Sequence, residues 1–127
     1  MSLTTAGAQF LAKAATGLNS PTLFSLANSY MGVGDSNTAF AVGQTDLQAA
    51  SNKVRFAATS LAESSGVVTV AGTAGTSVGN FEWIEWGWFN ASSGGTMLGR
   101  KVESPSLGTK TSAQVWTLTG TVTFAAA

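Results

Sequence analysis

Apolar and polar positions change period along this chain. Over residues 4–16 the apolar side chains recur at helical spacing, with Phe10, Leu11, Ala14 and Ala15 forming a narrow face. Thr4 or Thr5 is placed to cap the first turn, and Gly17, Asn19 and Pro21 supply the stop. So short a face has little to bury alone and must pack on the domain or on a neighbour. From residue 53 a period of two takes over. Lys53–Leu61 sets Val54, Phe56 and Ala58 against Lys53, Arg55 and Thr59, and Val67–Ala71 follows as a second strand, leading into Gly72, Gly75 and Gly79. Asn80–Phe89 is the strongest strand signal. Phe81, Trp83, Glu85, Gly87 and Phe89 share one parity, and Glu82, Ile84, Trp86 and Trp88 the other. Both faces are partly apolar, which predicts a central strand with one face on the core and the other against a second layer or a subunit. The turn Ala91-Ser92-Ser93-Gly94-Gly95 joins it to Thr96–Val102 as a hairpin. Ala113–Phe124 alternates cleanly, with Trp116, Leu118, Val122 and Phe124 opposed to Val115 and four threonines.

Leu23–Val33 reads as a further apolar strand, and Gly34-Asp35-Ser36-Asn37 as a turn. Residues 35–52 show no period and read as a long ordered loop laid on the domain. Six or seven strands with turns every 8–12 residues predict an all-β fold, an antiparallel β-sandwich of jelly-roll or immunoglobulin type with a short N-terminal helix. A closed barrel is the alternative. The expected organisation is an N-terminal helical arm over 1–20 and a β-sandwich domain over 21–127.

Composition narrows what such a domain can do. The 127 residues include no His and no Cys, which excludes metal sites and catalytic triads built on either. No metal and no cofactor is expected. Charged residues make up 9% of the chain, six of each sign, where an ordinary soluble domain has roughly 25%. Six scattered cations form no phosphate-tracking surface, so nucleic acid is not an expected partner. Ala, Thr, Ser and Gly supply 67 residues, and segments 1–12 and 111–127 carry no charge. A surface so poor in charge suits a protein used up in an assembly. The apolar start lacks the preceding positive charge of a signal peptide, and no run approaches about 18 apolar residues, so neither export nor a membrane is expected.

The acids do not form a catalytic pair. Glu82 and Glu85 are three apart on a strand and face opposite sides, whereas glycoside hydrolysis needs two carboxylates about 5–9 Å apart across a cleft. Enzyme function is not expected. Glu85 lies amid Trp83, Trp86 and Trp88 with Arg100 across the hairpin. A buried carboxylate needs a partner, so a Glu85–Arg100 ion pair is expected, with a carboxylate at the wet rim as the alternative. The four tryptophans read first as core. An exposed strip of them would bind sugars or a protein; alternatively Trp86 or Trp88 serves a subunit interface, since both faces of this strand cannot be one core. Phe10, Leu11, Trp116 and Phe124 carry the same choice between interface and core. Gly32-Val33-Gly34-Asp35 lacks the Lys and helix of a phosphate loop, and Asp35, Asn37 and Asp46 lack the spacing of a calcium loop.

The ordered set Tyr30-Met31-Gly32-Val33-Gly34, Thr38, Thr45-Asp46-Leu47, Arg55, Phe81-Glu82-Trp83-Ile84-Glu85-Trp86-Gly87-Trp88-Phe89-Asn90, Gly94-Gly95, Met97-Leu98-Gly99-Arg100 and Lys110, with the Thr/Val/Trp-rich terminal strand, resembles small virion structural proteins of tailed bacteriophages. The same pattern is found at the base of tail-fibre or collar proteins and in stand-alone virion proteins. The resemblance spans roughly residues 28–124 and implies a non-enzymatic structural protein of the virion, made in the host cytoplasm. With no fibre shaft following the terminal strand, it favours a capsid decoration (cement) protein bound to the major capsid protein. A tail, collar or baseplate component that docks a fibre is the alternative, and a glycan-binding module is a further one. A homo-oligomer is expected. A trimer would suit capsid three-fold axes or fibres, although no residue specifies three.

Overall fold

A computed structural model describes residues 1–126. The chain opens with a two-residue strand, β1 (Ser2–Leu3), and enters helix α1 (Thr5–Thr16). The Thr4 hydroxyl accepts from Gly7 N–H at 2.9 Å, satisfying a donor that the first turn leaves free. Gly17, at φ +70°, ends the helix in the left-handed conformation and donates to the Lys13 carbonyl. Gly7 and Phe10 are buried, Leu11 and Ala14 half-buried, and Ala15 exposed.

Eight more strands follow: β2 (Tyr30–Gly34), β3 (Lys53–Ser64), β4 (Val67–Ala74), β5 (Glu82–Trp83), β6 (Glu85–Phe89), β7 (Met97–Val102), β8 (Gly108–Thr109) and β9 (Trp116–Thr123). Seven strands form one antiparallel sheet in the order β1-β7-β6-β2-β3-β4-β9, and β5 pairs with β8 separately. Helix α1 lies so close to β7 that a Cβ on Gly7 would collide with the Leu98 carbonyl oxygen. The corner strand is β3. Its first half pairs with β2 and its second half with β4, and the register shifts between Ala58 and Ser60. A bulge there bends the strand and raises its twist. Beyond it the sheet curls until Gly120 of β9 lies against Trp86 of β6, where a Cβ would stand 2.5 Å from the indole. The fold is therefore mostly β, with one short helix and an open, half-barrel antiparallel sheet.

The concave side holds the main core: Met31, Val33, Phe56, Val70, Leu118 and Val122 with Trp83, Trp86 and Trp88, closed by Phe10 of α1. Phe24 bridges Phe10 and Trp88 edge-on, at 4.8 and 5.1 Å between ring centroids. On the convex side Leu47, Phe89 and Met97 form a second, smaller cluster against Tyr30.

Three elements differ from the sequence pattern. Leu23–Val33 is not one strand: Leu26–Asn28 is a 3-10 turn, only Tyr30–Gly34 pairs, and Leu23 and Leu26 are exposed. Asn28 and Ser29 side chains donate to the Leu23 and Phe24 carbonyls and so compete with the ladder. The strand over Asn80–Phe89 breaks at Ile84, whose N–H turns to the Gly34 carbonyl and whose carbonyl accepts from Glu103. Trp83 thereby leaves the parity of Glu85 and joins Trp86 and Trp88 in the core. Finally, β3 and β4 run on to a tight turn at Ser65 and Gly66, both with positive φ, the conformation that matches strand twist in a two-residue hairpin.

Candidate functional site

Strand β2 is lopsided. Met31 and Val33 fill the concave core, while Gly32 and Gly34 leave the convex side without side chains. Neighbours occupy that space. A Cβ on Gly32 would lie 2.6 Å from the Phe89 ring, and one on Gly34 3.0 Å from the Glu85 carboxyl carbon. The loop 35–52 closes over the top, burying Leu47 and Ala49. Beneath it Glu85 and Arg100 are both fully buried, with Arg100 Nε 3.2 Å from Glu85 Oε1. Arg100 stands opposite Gly87, not Glu85, so the contact is diagonal and crosses the gap left by a glycine. The Gln48 backbone N–H donates to the same Oε1 at 2.6 Å, and Arg100 Nη1 donates to Gln44 Oε1 at 3.1 Å. The pair thus holds the loop as well as the hairpin. Glu85 Oε2 and Arg100 Nη2 are buried without a protein partner.

Beside it lies a second, half-exposed cluster. Asp46 accepts from Lys53 at 3.1 Å and stands 3.5 Å from Arg55. Burial pushes the Asp46 carboxyl up, but the hydrogen bonds from Lys53 and the Leu47 N–H, with the charges of Lys53 and Arg55, hold it on balance below its ordinary value. The Arg55 guanidinium lies 3.6 Å over the Phe89 ring and donates to the Ala91 and Gly94 carbonyls, each at 2.9 Å. It clamps the β6–β7 turn onto β3. Lys110, named from the sequence only as part of the resemblance, is buried and donates to Asn80 Oδ1 at 2.8 Å, a role no pattern indicated. Gln44 and Gln48 were equally unmarked, since they act from a loop without period.

Three of the four tryptophans are core. Trp83, Trp86 and Trp88 are each at most 5% exposed, and their indole N–H groups donate to the Gly79 carbonyl, Glu103 and Ser29 respectively. Trp116 is half-buried, edge-on to Trp83 at 5.1 Å. An exposed indole strip for sugars does not form. The second apolar face, expected against a second layer or a subunit, is covered by the chain's own loop 35–52. Phe10 is buried, Leu11 packs at the core margin, and Phe124 is 42% exposed.

The acids do not converge on a cleft. Glu82 is exposed and accepts from Ser106, Asp35 accepts from Asn52, and Glu85 is buried in its pair. Among the described residues no cluster of three acidic, His or Cys side chains is placed to hold a metal, and no helix is long and apolar enough to cross a membrane.

What remains on the outside is a plain surface. The convex face of the second half of β3, with β4 and β9, presents Ser60, Ala62 and Ser64, then Val67, Thr69, Ala71 and Thr73, then the four threonines of β9. It carries no charge. Compared with protein-family models, with curated proteins and with solved structures, the chain shows no match.

Proposed function

We propose that this chain is a non-enzymatic structural protein of a tailed-bacteriophage virion, made in the host cytoplasm and attached to the capsid as a decoration protein that binds the major capsid shell. The observation that carries this reading is the uncharged Thr/Ala/Ser face of the second half of β3 with β4 and β9. Covering such a face removes no ion from water, and its short side chains lose little rotamer freedom on docking. The residues behind the resemblance point the same way. Gly32 and Gly34 make room for Phe89 and Glu85, Arg100 pairs with Glu85, and Arg55 clamps a turn. They build a rigid framework rather than reactive chemistry. In this reading the second half of β3, with β4 and β9, is one layer of a sandwich whose outer face meets the shell.

The test is a map of the intact virion with the copy number of this chain. Copies on the order of hundreds, on the shell, with tighter binding to expanded heads than to procapsids, are expected. A small multiple of about six copies at the tail would overturn decoration in favour of a collar or baseplate role. Absence from the particle would overturn the virion reading altogether.

A further inference from the structure

We infer that two copies of this chain associate through the free edges of β9, paired antiparallel about a two-fold axis at Gly120. Strand β9 ends the sheet and hydrogen-bonds on one side only, to β4. Along its other side about four N–H and four C=O groups have no strand partner. Natural sheets blunt such an edge with Lys, Pro, a bulge or brevity. The opposite edge obeys, since β1 has two residues. Strand β9 does none of these. It runs eight residues, Trp116–Thr123, with no charge, no Pro and no register shift against β4, and the charged residue before it, Lys110, is buried.

The residue order says what completes the edge. Trp116, Leu118, Gly120 and Val122 face the concave side, and the threonines between them face out. Antiparallel pairing of β9 with itself about Gly120 sets Thr119 against the partner's Thr121 and Thr117 against the partner's Thr123. On the inner side it sets Leu118 against the partner's Val122 and Trp116 against the partner's Phe124. Every outward pair is Thr with Thr, every inward pair is apolar, and no charges meet. A cross-strand Thr pair of this kind already exists between β4 and β9, where the Thr73 and Thr117 hydroxyls are 3.1 Å apart. The register also covers what the single chain leaves open. Phe124, 42% exposed, is brought to a recess of about 440 Å³ bordered by Trp83, Leu107, Val115 and Trp116, in which Leu107 and Val115 are themselves exposed. Strands of other proteins would have to match this alternation by chance, whereas a second copy supplies it by symmetry.

Such a dimer forms in the purified chain whether or not the virion role holds, so the two fail separately. Sedimentation equilibrium of the full chain, from about 1 to 200 µM, is expected to show the mass rising from 12.9 kDa to twice that value. Hydrogen exchange over 116–123 should slow only at the higher concentrations. Thr119→Lys with Thr121→Lys sets like charges opposite each other twice and should raise the dissociation constant about tenfold or more. Thr119→Lys with Thr121→Glu sets opposite charges there and should restore it to within about threefold. Both variants change the same two exposed positions, so a shared effect on folding cancels in the comparison. A constant 12.9 kDa mass, a dimer indifferent to the two variants, or a larger oligomer with unprotected β9 amides would each overturn the pairing.

Discussion

Glu85→Ala removes one half of the Glu85–Arg100 pair and leaves the other half in place. The guanidinium stays fully buried and keeps one hydrogen bond, to Gln44 Oε1, while its Nη2 already has none. The Gln48 N–H loses its acceptor in the same step. Breaking a buried pair from one side costs about 3–5 kcal/mol, because an uncompensated charge remains away from water. With a backbone donor orphaned as well, about 4 kcal/mol is expected here. In a chain of this length 1 kcal/mol moves Tm by about 3–5 °C, so thermal unfolding should fall by about 12–20 °C. The urea midpoint should fall by roughly 2–3 M.

Two companion variants separate charge from packing. Glu85→Gln keeps an acceptor for Gln48 but leaves the Arg100 charge unmatched, and should cost about half as much. Glu85→Met with Arg100→Met removes both charges but still leaves the Gln48 N–H without its acceptor, so it should recover roughly half of the loss, leaving a deficit of about 1–3 kcal/mol. Hydrogen exchange supplies the local readout: the Gln48 amide should lose protection in Glu85→Ala before the β-sheet amides do. A Tm change under about 3 °C in Glu85→Ala, with Gln48 still protected, would refute the view that this pair pins the 35–52 loop.

Two further outcomes follow from other parts of the structure. Gly7→Ala would stabilise an exposed helix by about 1 kcal/mol, but here the new methyl meets the Leu98 carbonyl oxygen, so a loss of about 1–3 kcal/mol is expected; a raised Tm would refute the backbone-to-backbone docking of α1 on β7. The Asp46 carboxyl titrates below its ordinary value in the folded chain, so its contribution is present above the unfolded pKa of about 4 and is lost as pH falls through the lower, folded value. Nearly half exposed, it is worth under about 1 kcal/mol. Asp46→Asn should therefore be slightly less stable than the parent in urea melts at neutral pH and equal to it in strong acid, and a gap that persists in acid would refute the assignment.

The parts of this fold that announce themselves are those whose signals are local. Helix α1 is bounded by a Thr cap and a left-handed Gly within one turn of its ends, and β9 alternates over its whole length. The Glu85–Arg100 contact is also legible, as an acid among tryptophans with a cation across a short turn. Where pattern fails, the cause lies far along the chain. Trp83 changes face because Ile84 bonds to Gly34, fifty residues earlier. Gly32 reads as the end of a strand and Gly34 as the start of a turn until Phe89 and Glu85 are seen to fill the space above them. The 35–52 loop has no period, yet it covers the ion pair through one backbone N–H, one amide side chain and two buried apolar residues.

The excess of small residues then resolves into two separate demands. Inside, Gly7, Gly32 and Gly120 stand where a helix, a ring and an indole approach the backbone too closely for any side chain. Outside, Thr, Ser and Ala clothe the second half of β3, β4 and β9 with a face and an edge that carry no charge. The first demand explains how so short a chain closes a core around three buried tryptophans. It does not explain the second, because the exposed threonines of β9 contribute nothing to that core. An eight-residue edge without Lys or Pro invites pairing, and in a free monomer that is a liability. The uncharged exterior therefore makes physical sense when it is covered, and β9, where face and edge meet, is the strand on which that requirement concentrates.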